Sequence, residues 1–252
     1  AYNVATMETE EMRKIRENVI FLLMLNINPD GLEIVADWWE RVKDTPFATT
    51  GPPVLYQSYV GHDNNRDWYM LLQQESRNVA RVLYEEWYPQ IVYNQHQSSP
   101  EWTRIFHPPF ADPVNQKIPP EVIKGVNLVG EAMGKRFIEQ EMPGAISRLT
   151  FDMWWNGGMR TAPYYHNMIG ILTETAHTTP VPRYYDPEDR PATVGGRRAG
   201  SPPTDRPTLY YPDPWEGGWS RFSDAVRYMI EGSYAVLEIG ADRREEWLMG
   251  IY

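Results

Sequence analysis

The sequence contains no cysteine, and this absence removes two kinds of structure. Disulfide bonds cannot form, and a metal site cannot use thiolate ligands, so any bound metal has to be held by His, Asp or Glu side chains. The redox compartment stays open, because proteins without cysteine occur in both oxidising and reducing environments.

Long apolar runs and basic clusters are missing as well. The longest apolar run, residues 19–27, has the length of a strand and falls well short of the roughly 20 residues that cross a bilayer. We therefore expect no membrane span. Lys and Arg number 24 against 34 Asp and Glu, which gives a net charge of −10. This acidic balance argues against a nucleic-acid-binding surface.

The amino-terminal residues do not have the pattern of a targeting segment. The first residue is Ala1, and residues 2–18 form neither a charged leader nor an apolar signal core. We expect that such a segment was removed or that upstream residues are not part of this sequence. At 252 residues, the chain has the length of one large domain with its own core.

The chain does contain alternating helix-like and strand-like segments. Amphipathic or charged stretches predict the helices, and short apolar runs predict the strands. This alternation predicts an α/β fold with a doubly wound mixed sheet and helices on both faces. Helices are predicted over residues 8–18, 71–87, 121–140 and 219–248, and strands over residues 19–27, 90–93, 145–151 and 168–173.

Three segments between these elements predict turns or loops. The sequence Asn-Pro-Asp-Gly at residues 28–31 has strong turn chemistry and is expected to end the first strand. Residues 44–53 are rich in Pro, Gly and Thr. Residues 178–218 are rich in Pro, Gly, Arg and Asp and have almost no apolar periodicity, which predicts a long loop that is either functional or mobile.

Two ionisable side chains fall at the ends of predicted strands, His96 and Glu174. In open α/β sheets, ligands bind at the carboxyl ends of the strands, and a site there would place these side chains within one water molecule of each other. A carboxylate behind four apolar residues is costly unless it is paired, solvated at a cleft or close to a metal. The alternatives are a loop histidine bonded to its neighbours and an ordinary carboxylate that faces solvent.

Asn65 and Arg66 lie in the polar segment "GHDNNRDWYM" at residues 61–70. The planar guanidinium of Arg66 has a geometry that suits a carboxylate ligand. A structural ion pair with Asp63 or Asp67 explains the same arginine equally well.

Together these motifs have a characteristic order. Asn-Pro-Asp-Gly comes after an apolar run, and it precedes Asn-Arg, a strand ending in His, the Gly-Gly loop "WWNGGMR" and a strand ending in Glu. In this order, the chain resembles the zinc carboxypeptidase family of the carboxypeptidase A type over residues 15–180. The segments "YVGHDNNRDW" and "TETA" resemble a bacterial branch of that family. The resemblance implies a zinc-peptidase-like fold, here incomplete at its amino terminus, in a secreted or periplasmic protein.

The resemblance also implies roles for individual residues, with zinc as the cofactor. Its substrate would be a peptide or peptide-like molecule with a free terminal carboxylate. The zinc holds a water molecule whose pKa falls to about 7, and a nearby carboxylate removes the proton. By resemblance, His96 is the zinc ligand, Glu174 is the general base, Asn65 and Arg66 hold the substrate carboxylate, and Arg41 in "WWERVKDT" is the loose match to an arginine that polarises the substrate carbonyl.

The chain departs from the family pattern in its metal ligands. The family takes its other two ligands from a His-x-x-Glu motif, and no histidine here has Glu at the third following position. We therefore expect the chain to be the carboxyl-terminal part of such a domain and to be inactive alone. The five histidines are His62, His96, His107, His166 and His177.

A second departure concerns the mobile tyrosine that contacts substrate in the family. Its position falls near residues 153–155, where this chain has no tyrosine. The role is then either unfilled or taken by Tyr164 or Tyr165.

Three functions are compatible with these observations. The leading hypothesis is zinc-dependent hydrolysis of a peptide bond next to a free carboxylate, and the second is a catalytically inactive relative that binds peptide ends. A carbohydrate-binding module is the third, because 10 Trp and 16 Tyr could provide stacking surfaces. Most of these aromatic residues lie on predicted helices or beside core strands, where packing explains them.

Overall fold

The computed structural model describes residues 1–55, 59–176, 179–195 and 200–251 and has a mixed α/β fold. No α-helix within these ranges has both the length and the apolar character needed to cross a membrane. The α-helices are α1 (Tyr2–Thr6), α2 (Glu10–Asn18), α3 (Pro29–Val42), α4 (Gln74–Arg81), α5 (Pro120–Glu139), α6 (Phe222–Asp242) and α7 (Arg244–Gly250). The strands are β1 (Ile91–His96), β2 (Ile105–Phe106), β3 (Ala111–Val114), β4 (Ala145–Ile146), β5 (Asp152–Met153), β6 (Ile169–Thr175), β7 (Arg183–Tyr185) and β8 (Gly218–Ser220).

The central sheet has four strands in the order β1-β6-β2-β4. β1 runs parallel to β6, while β2 runs antiparallel to β6 and parallel to β4, so the sheet is mixed. Every residue of β6 is buried, which fits its apolar sequence and its position between two strands. The parallel register places Ile91 opposite Ile169 and His96 opposite Glu174.

Helices pack against both faces of this sheet. Val92 of β1 clusters with Val79 and Leu83, which come from α4 and the π-helical turn that continues it. The next residue, Tyr93, points to the opposite face, because side chains alternate along a strand. It packs against the main core cluster, to which α5 and α6 contribute.

The long helix α5 confirms the prediction over residues 121–140. Val122, Val126, Val129, Met133 and Phe137 recur every three or four residues and are all buried. This spacing places them on one side of the helix, where they form much of the main core. Helices α2, α4 and α6 also fall within predicted segments, although α4 begins later than expected, and α7 extends two residues past the end of its predicted segment.

The strand predicted over residues 19–27 is wrong within the described structure. Residues 20–25 are irregular and largely exposed, and Leu25 reaches 89% exposure. Their backbone groups make no hydrogen bond to any part of the chain that the structure describes. A strand needs a neighbour that satisfies its backbone donors and acceptors, and here no neighbour lies beside this run.

The segment at residues 28–31 begins a helix that was not predicted. Asn28 is the N-cap of α3, and its side-chain Oδ1 accepts a hydrogen bond of 2.9 Å from the backbone N–H of Gly31. Pro29 occupies the first turn, where its missing N–H costs nothing. Turn residues and N-cap residues are the same types, so this sequence is compatible with both structures.

Two further predicted segments differ from the structure in their extent. Only Ala145–Ile146 of the strand predicted over residues 145–151 pairs in the sheet. The loop over residues 178–218 includes positions outside the described residues, and its described parts contact the rest of the chain at individual positions. Val194 and Tyr211 are fully buried in the main core, and β7 pairs with β8 in an antiparallel two-stranded sheet.

Candidate active site

His96 and Glu174 meet at the carboxyl ends of the parallel strands β1 and β6. The two residues are direct register partners, and His96 Nδ1 lies 2.8 Å from Glu174 Oε2. This contact confirms the prediction that the two side chains lie within one water molecule of each other. Parallel strands bring their carboxyl ends to one edge of the sheet, so residues 78 positions apart form one pair.

The pair combines a buried carboxylate with a half-exposed imidazole. Glu174 is only 3% exposed, whereas about half of the His96 side chain is open to solvent. The hydrogen bond that Glu174 accepts from the imidazole raises the pKa of His96 above its ordinary value of 6.5, although burial acts in the opposite direction. Asp63 raises this pKa further and Arg66 lowers it, so both charges act on the same histidine.

Asn65 lies on the same side of the sheet as this pair. Its Nδ2 donates a 3.4 Å hydrogen bond to Asn94 Oδ1, and its Oδ1 accepts a 2.8 Å bond from the backbone N–H of Met159. Asn94 precedes His96 by two residues on β1, so the two side chains point to the same face. Asn65 therefore connects the site to the loop at residues 154–160.

Arg66 is largely exposed beside Asn65. Its Nη1 donates a 3.0 Å hydrogen bond to the backbone carbonyl of Asn65 and lies 3.9 Å from Asp63 Oδ1. Its guanidinium carbon lies 5.6 Å from the centre of the Trp155 ring. Asp63, one of the two structural partners considered for Arg66, therefore lies at the outer limit of the distance that counts as an ion pair.

Asp67, the other partner considered for Arg66, is engaged elsewhere. It is fully buried, and its Oδ1 lies 2.9 Å from His62 Nε2. It also accepts hydrogen bonds from the backbone N–H groups of Leu72 and Gln73. These bonds hold the pKa of Asp67 below its ordinary range despite the opposing effect of burial.

Of the other three predicted site residues, Tyr164 is excluded as a ligand contact by its burial, and the roles of Tyr165 and Arg41 stay predictions. Tyr164 is fully buried in the main core, where its hydroxyl accepts a 3.2 Å bond from Arg160, so it offers no surface to a ligand. Tyr165 and Arg41 are both exposed. Within the described chain, neither forms a hydrogen bond or ion pair with His96 or Glu174.

The described residues do not by themselves form a three-ligand zinc site. No group of three His, Asp or Glu side chains in the described ranges is placed to hold a metal ion. His62 is bonded to Asp67, and the His166 ring stacks on another ring, so neither is turned towards His96 as a ligand. His177 lies outside the described residues.

Two residues of this region, Asn94 and Trp155, were not identified from the sequence. Asn94 could have been found from the sequence, because it directly follows the predicted strand and precedes His96 by two positions, so the two share a face if the strand continues to His96. Trp155 had no such signal. Its contact with Arg66 joins segments about 90 residues apart, and only the tertiary structure brings them together.

The arrangement of these side chains suits two chemical tasks, proton transfer and carboxylate binding. A buried carboxylate next to an imidazole can accept and return a proton, and an exposed guanidinium beside an amide can bind a carboxylate. Both groups lie at the same edge of the sheet. Comparisons with protein-family models, with curated proteins and with solved structures found no match to the chain.

Proposed function

We propose that this chain carries the general base and the carboxylate-recognition groups of a zinc carboxypeptidase-like site. The reaction would be hydrolysis of a peptide bond next to a free terminal carboxylate. The observation that carries this proposal is the direct contact of His96 with the buried Glu174 at the carboxyl edge of the sheet. We also propose that the sheet is doubly wound and zinc-peptidase-like. The protein would then be secreted or periplasmic.

In this proposal, Glu174 handles the proton. Its carboxylate is nearly inaccessible to bulk water and is held against the His96 imidazole. It can therefore take a proton from the attacking water and deliver it to the leaving amine. Zinc, when bound, supplies a positive charge that lowers the pKa of this water.

Asn65 and Arg66 would set the requirement for a free chain end. The guanidinium of Arg66 is exposed, and only its Nη1 donates a hydrogen bond within the described structure. A carboxylate oxygen pair can take the remaining N–H groups in a bidentate arrangement. An amide in the same place carries no negative charge and offers a single acceptor oxygen.

The metal requires ligands beyond those that the structure describes. His96 and Glu174 are both engaged with each other, and a catalytic zinc needs three protein ligands. The family resemblance assigns the other two to a His-x-x-Glu motif that these 252 residues lack. We therefore expect hydrolysis only from a protein that also contains such a motif.

A catalytically inactive protein that binds peptide ends is the second candidate. It is favoured by the lack of a third metal-binding side chain among the described residues. Both candidates need Arg66 to recognise a carboxylate. They differ in Glu174, because only the hydrolase needs its proton transfer.

The test compares binding of a blocked dipeptide as its free acid and as its amide. Arg66→Ala is expected to weaken binding of the free acid roughly 10- to 100-fold, since a hydrogen bond to a charged group is worth about 1.5–3 kcal/mol. Binding of the amide should change little. Titrations followed by NMR on this chain measure both affinities.

Arg206→Ala is the matched control, because Arg206 is also an exposed arginine that pairs with a nearby aspartate in its own segment. It should leave both affinities unchanged. An equal loss for acid and amide in Arg66→Ala would assign Arg66 to the scaffold and refute carboxylate recognition.

A further inference from the structure

The loop at residues 154–160 contains the dipeptide Asn156-Gly157. Asn156 is the only asparagine in the sequence that a glycine follows. It is exposed, and its side chain forms no hydrogen bond within the described structure. The backbone N–H of Gly157 likewise donates no hydrogen bond to a described residue. The amide side chain and the backbone nitrogen that follows it therefore have no partner that keeps them from reacting with each other.

Glycine at position 157 is required by the packing of the loop. A Cβ atom on Gly157 would lie 2.3 Å from Trp155 Cζ2 and 2.8 Å from Tyr69 Cδ1, closer than such atoms can approach. Glycine also has no side chain that shields its backbone nitrogen from the preceding residue. The fold therefore keeps, directly after Asn156, the residue that most favours attack of the backbone on the asparagine side chain.

We infer that Asn156 is a site of spontaneous deamidation. The deprotonated backbone nitrogen of Gly157 attacks Asn156 Cγ, and the new bond forms a succinimide ring. The bond from Cγ to Nδ2 breaks, and the leaving nitrogen takes a proton from water and departs as ammonia. Water then opens the ring at either carbonyl carbon, which gives aspartate or isoaspartate. Both products carry a carboxylate that is ionised at neutral pH, because the ordinary pKa of Asp is about 3.9.

The new charge would stand in the loop that borders Arg66. Asn156 directly follows Trp155, and the Arg66 guanidinium carbon lies 5.6 Å from the centre of the Trp155 ring. The same loop is bonded to Asn65 through the backbone N–H of Met159. Only Nη1 of Arg66 donates a hydrogen bond within the described structure, so a carboxylate in this loop can pair with the other N–H groups.

The effect on Arg66 rests on the proposed function, whereas the deamidation itself does not. If Arg66 holds the free carboxylate of a peptide, a carboxylate at position 156 competes for the same N–H groups. Ageing of the protein would then weaken its recognition of free chain ends without the action of any enzyme. The expected loss of affinity is about two- to fivefold, the range of a surface ion pair.

The experiment incubates the folded chain at mildly alkaline pH and follows its tryptic peptides by mass spectrometry. Peptide 149–160 contains Asn156 as its only asparagine, and peptide 161–183 contains Asn167, an exposed asparagine that methionine follows. We expect the first peptide to gain the mass of an amide converted to an acid, and the second to stay unchanged. The gain should be faster at higher pH, because the attacking nitrogen has to lose its proton. Asn156→Gln should abolish it, since the longer side chain closes a larger and less favourable ring.

Asp30-Gly31 is the internal control for the role of the structure. Aspartate before glycine can form the same ring, but here the N–H of Gly31 donates a 2.9 Å hydrogen bond to Asn28 Oδ1 in the first turn of α3. Labelling of isoaspartate in the folded chain should therefore find it at position 156 and not at position 30.

Binding of blocked dipeptide acids and amides, measured by NMR titration, tests the effect on Arg66. Aged wild type and fresh Asn156→Asp should both lose affinity for the acid and keep their affinity for the amide. Aged Asn156→Gln should keep both affinities. Thermal unfolding of each variant verifies that it is folded.

The outcomes separate this inference from the proposed function. Deamidation of Asn156 that is no faster than that of Asn167 overturns the inference. Deamidation without any loss of acid binding leaves the modification site and refutes its effect on Arg66. Equal binding of acids and amides before ageing would refute the proposed carboxylate recognition and leave the deamidation site standing.

Discussion

Two histidines of this protein experience opposite environments. His96 is half exposed beside a carboxylate, and Glu174 raises its pKa above 6.5. His107 is buried, and burial lowers its pKa to about 4. Their contributions to stability therefore change in different pH ranges and with opposite sign.

His96 contributes to the stability of the folded protein at low pH. Because its pKa is raised in the folded protein, its stabilisation is complete below 6.5 and is lost as the pH rises through the raised pKa. Glu174→Gln removes the charged partner, so we expect the pKa of His96 to fall. An NMR titration of the imidazole measures this directly.

Glu174→Gln should also change how the stability of the protein depends on pH. The unfolding free energy of wild type relative to Glu174→Gln should be larger at about pH 5 than at about pH 9. An unchanged His96 pKa in folded Glu174→Gln would contradict the pairing of the two side chains.

His107 contributes to the stability of the folded protein at high pH. Its pKa is depressed in the folded protein, so stability is complete above 6.5 and declines as the pH falls towards 4. The gap between these values corresponds to roughly 3 kcal/mol. We expect His107→Gln to lose much less stability over this range, as measured by urea unfolding at several pH values.

His96→Gln serves as the control for this prediction. Because the pKa of His96 is raised above 6.5, His96 is already protonated in the range in which His107 loses stability, so this variant should keep the acid-side decline. A decline of equal size in His107→Gln would show that other groups cause it.

At the scale of elements, the sequence predicts the helices and strands that a local apolar pattern indicates. The helix α5 and the strands β1 and β6 are indicated by apolar spacing, and each forms close to its expected bounds. The two-residue strand β2 has no such signal, and only the first two residues of the strand predicted over residues 145–151 form β4, because the pairing of both depends on neighbours far away in the chain. The helix α3 was missed since its N-cap residues equally suit a turn.

The run at residues 20–25 shows the limit of a local signal. It has the composition of a buried strand, but β pairing is a property of two segments. In the described structure its backbone is unpaired, and its six apolar side chains, without charge, Pro or Gly, face largely outwards. Such segments tend to pair with copies of themselves.

We therefore expect the chain to associate as its concentration rises. Replacing Leu23 and Leu25 together by Lys places charges in the run and should shift the protein towards the monomer. Size-exclusion chromatography with light scattering measures the mass. Leu209→Lys, at another highly exposed leucine, is the control that should leave association unchanged. Equal masses for all variants would show that the run does not mediate association.

At the scale of the whole molecule, the candidate site joins segments that are far apart in sequence. The proximity of His96 and Glu174 could be predicted, because the carboxyl ends of parallel strands share one edge. The partners of Asn65 could not, since they come from β1 and from the loop at residues 154–160. Tyr164 shows the reverse, because its place in the motif order does not bring its side chain to a surface that a ligand could reach.

Zinc binding is a property of the whole chain. The described residues contain no group of three possible ligands, and a metal ion bound at His96 and Glu174 would have to displace the 2.8 Å bond between them. Three protein ligands are needed for a catalytic site, so we expect no tight one-to-one binding in a calorimetric titration. The melting temperature should also stay unchanged on addition of zinc, because a ligand stabilises the folded state appreciably only when its concentration exceeds its dissociation constant.

His96→Gln is the control for the zinc titration and should behave as the wild type does if binding is weak. Tight binding that His96→Gln abolishes would refute the expectation and require ligands outside the described residues. His177 is one histidine in that part of the chain, so His177→Ala would then be expected to abolish binding as well. Tight binding that survives both substitutions would place the metal away from Glu174 and would remove the ligand role proposed for His96.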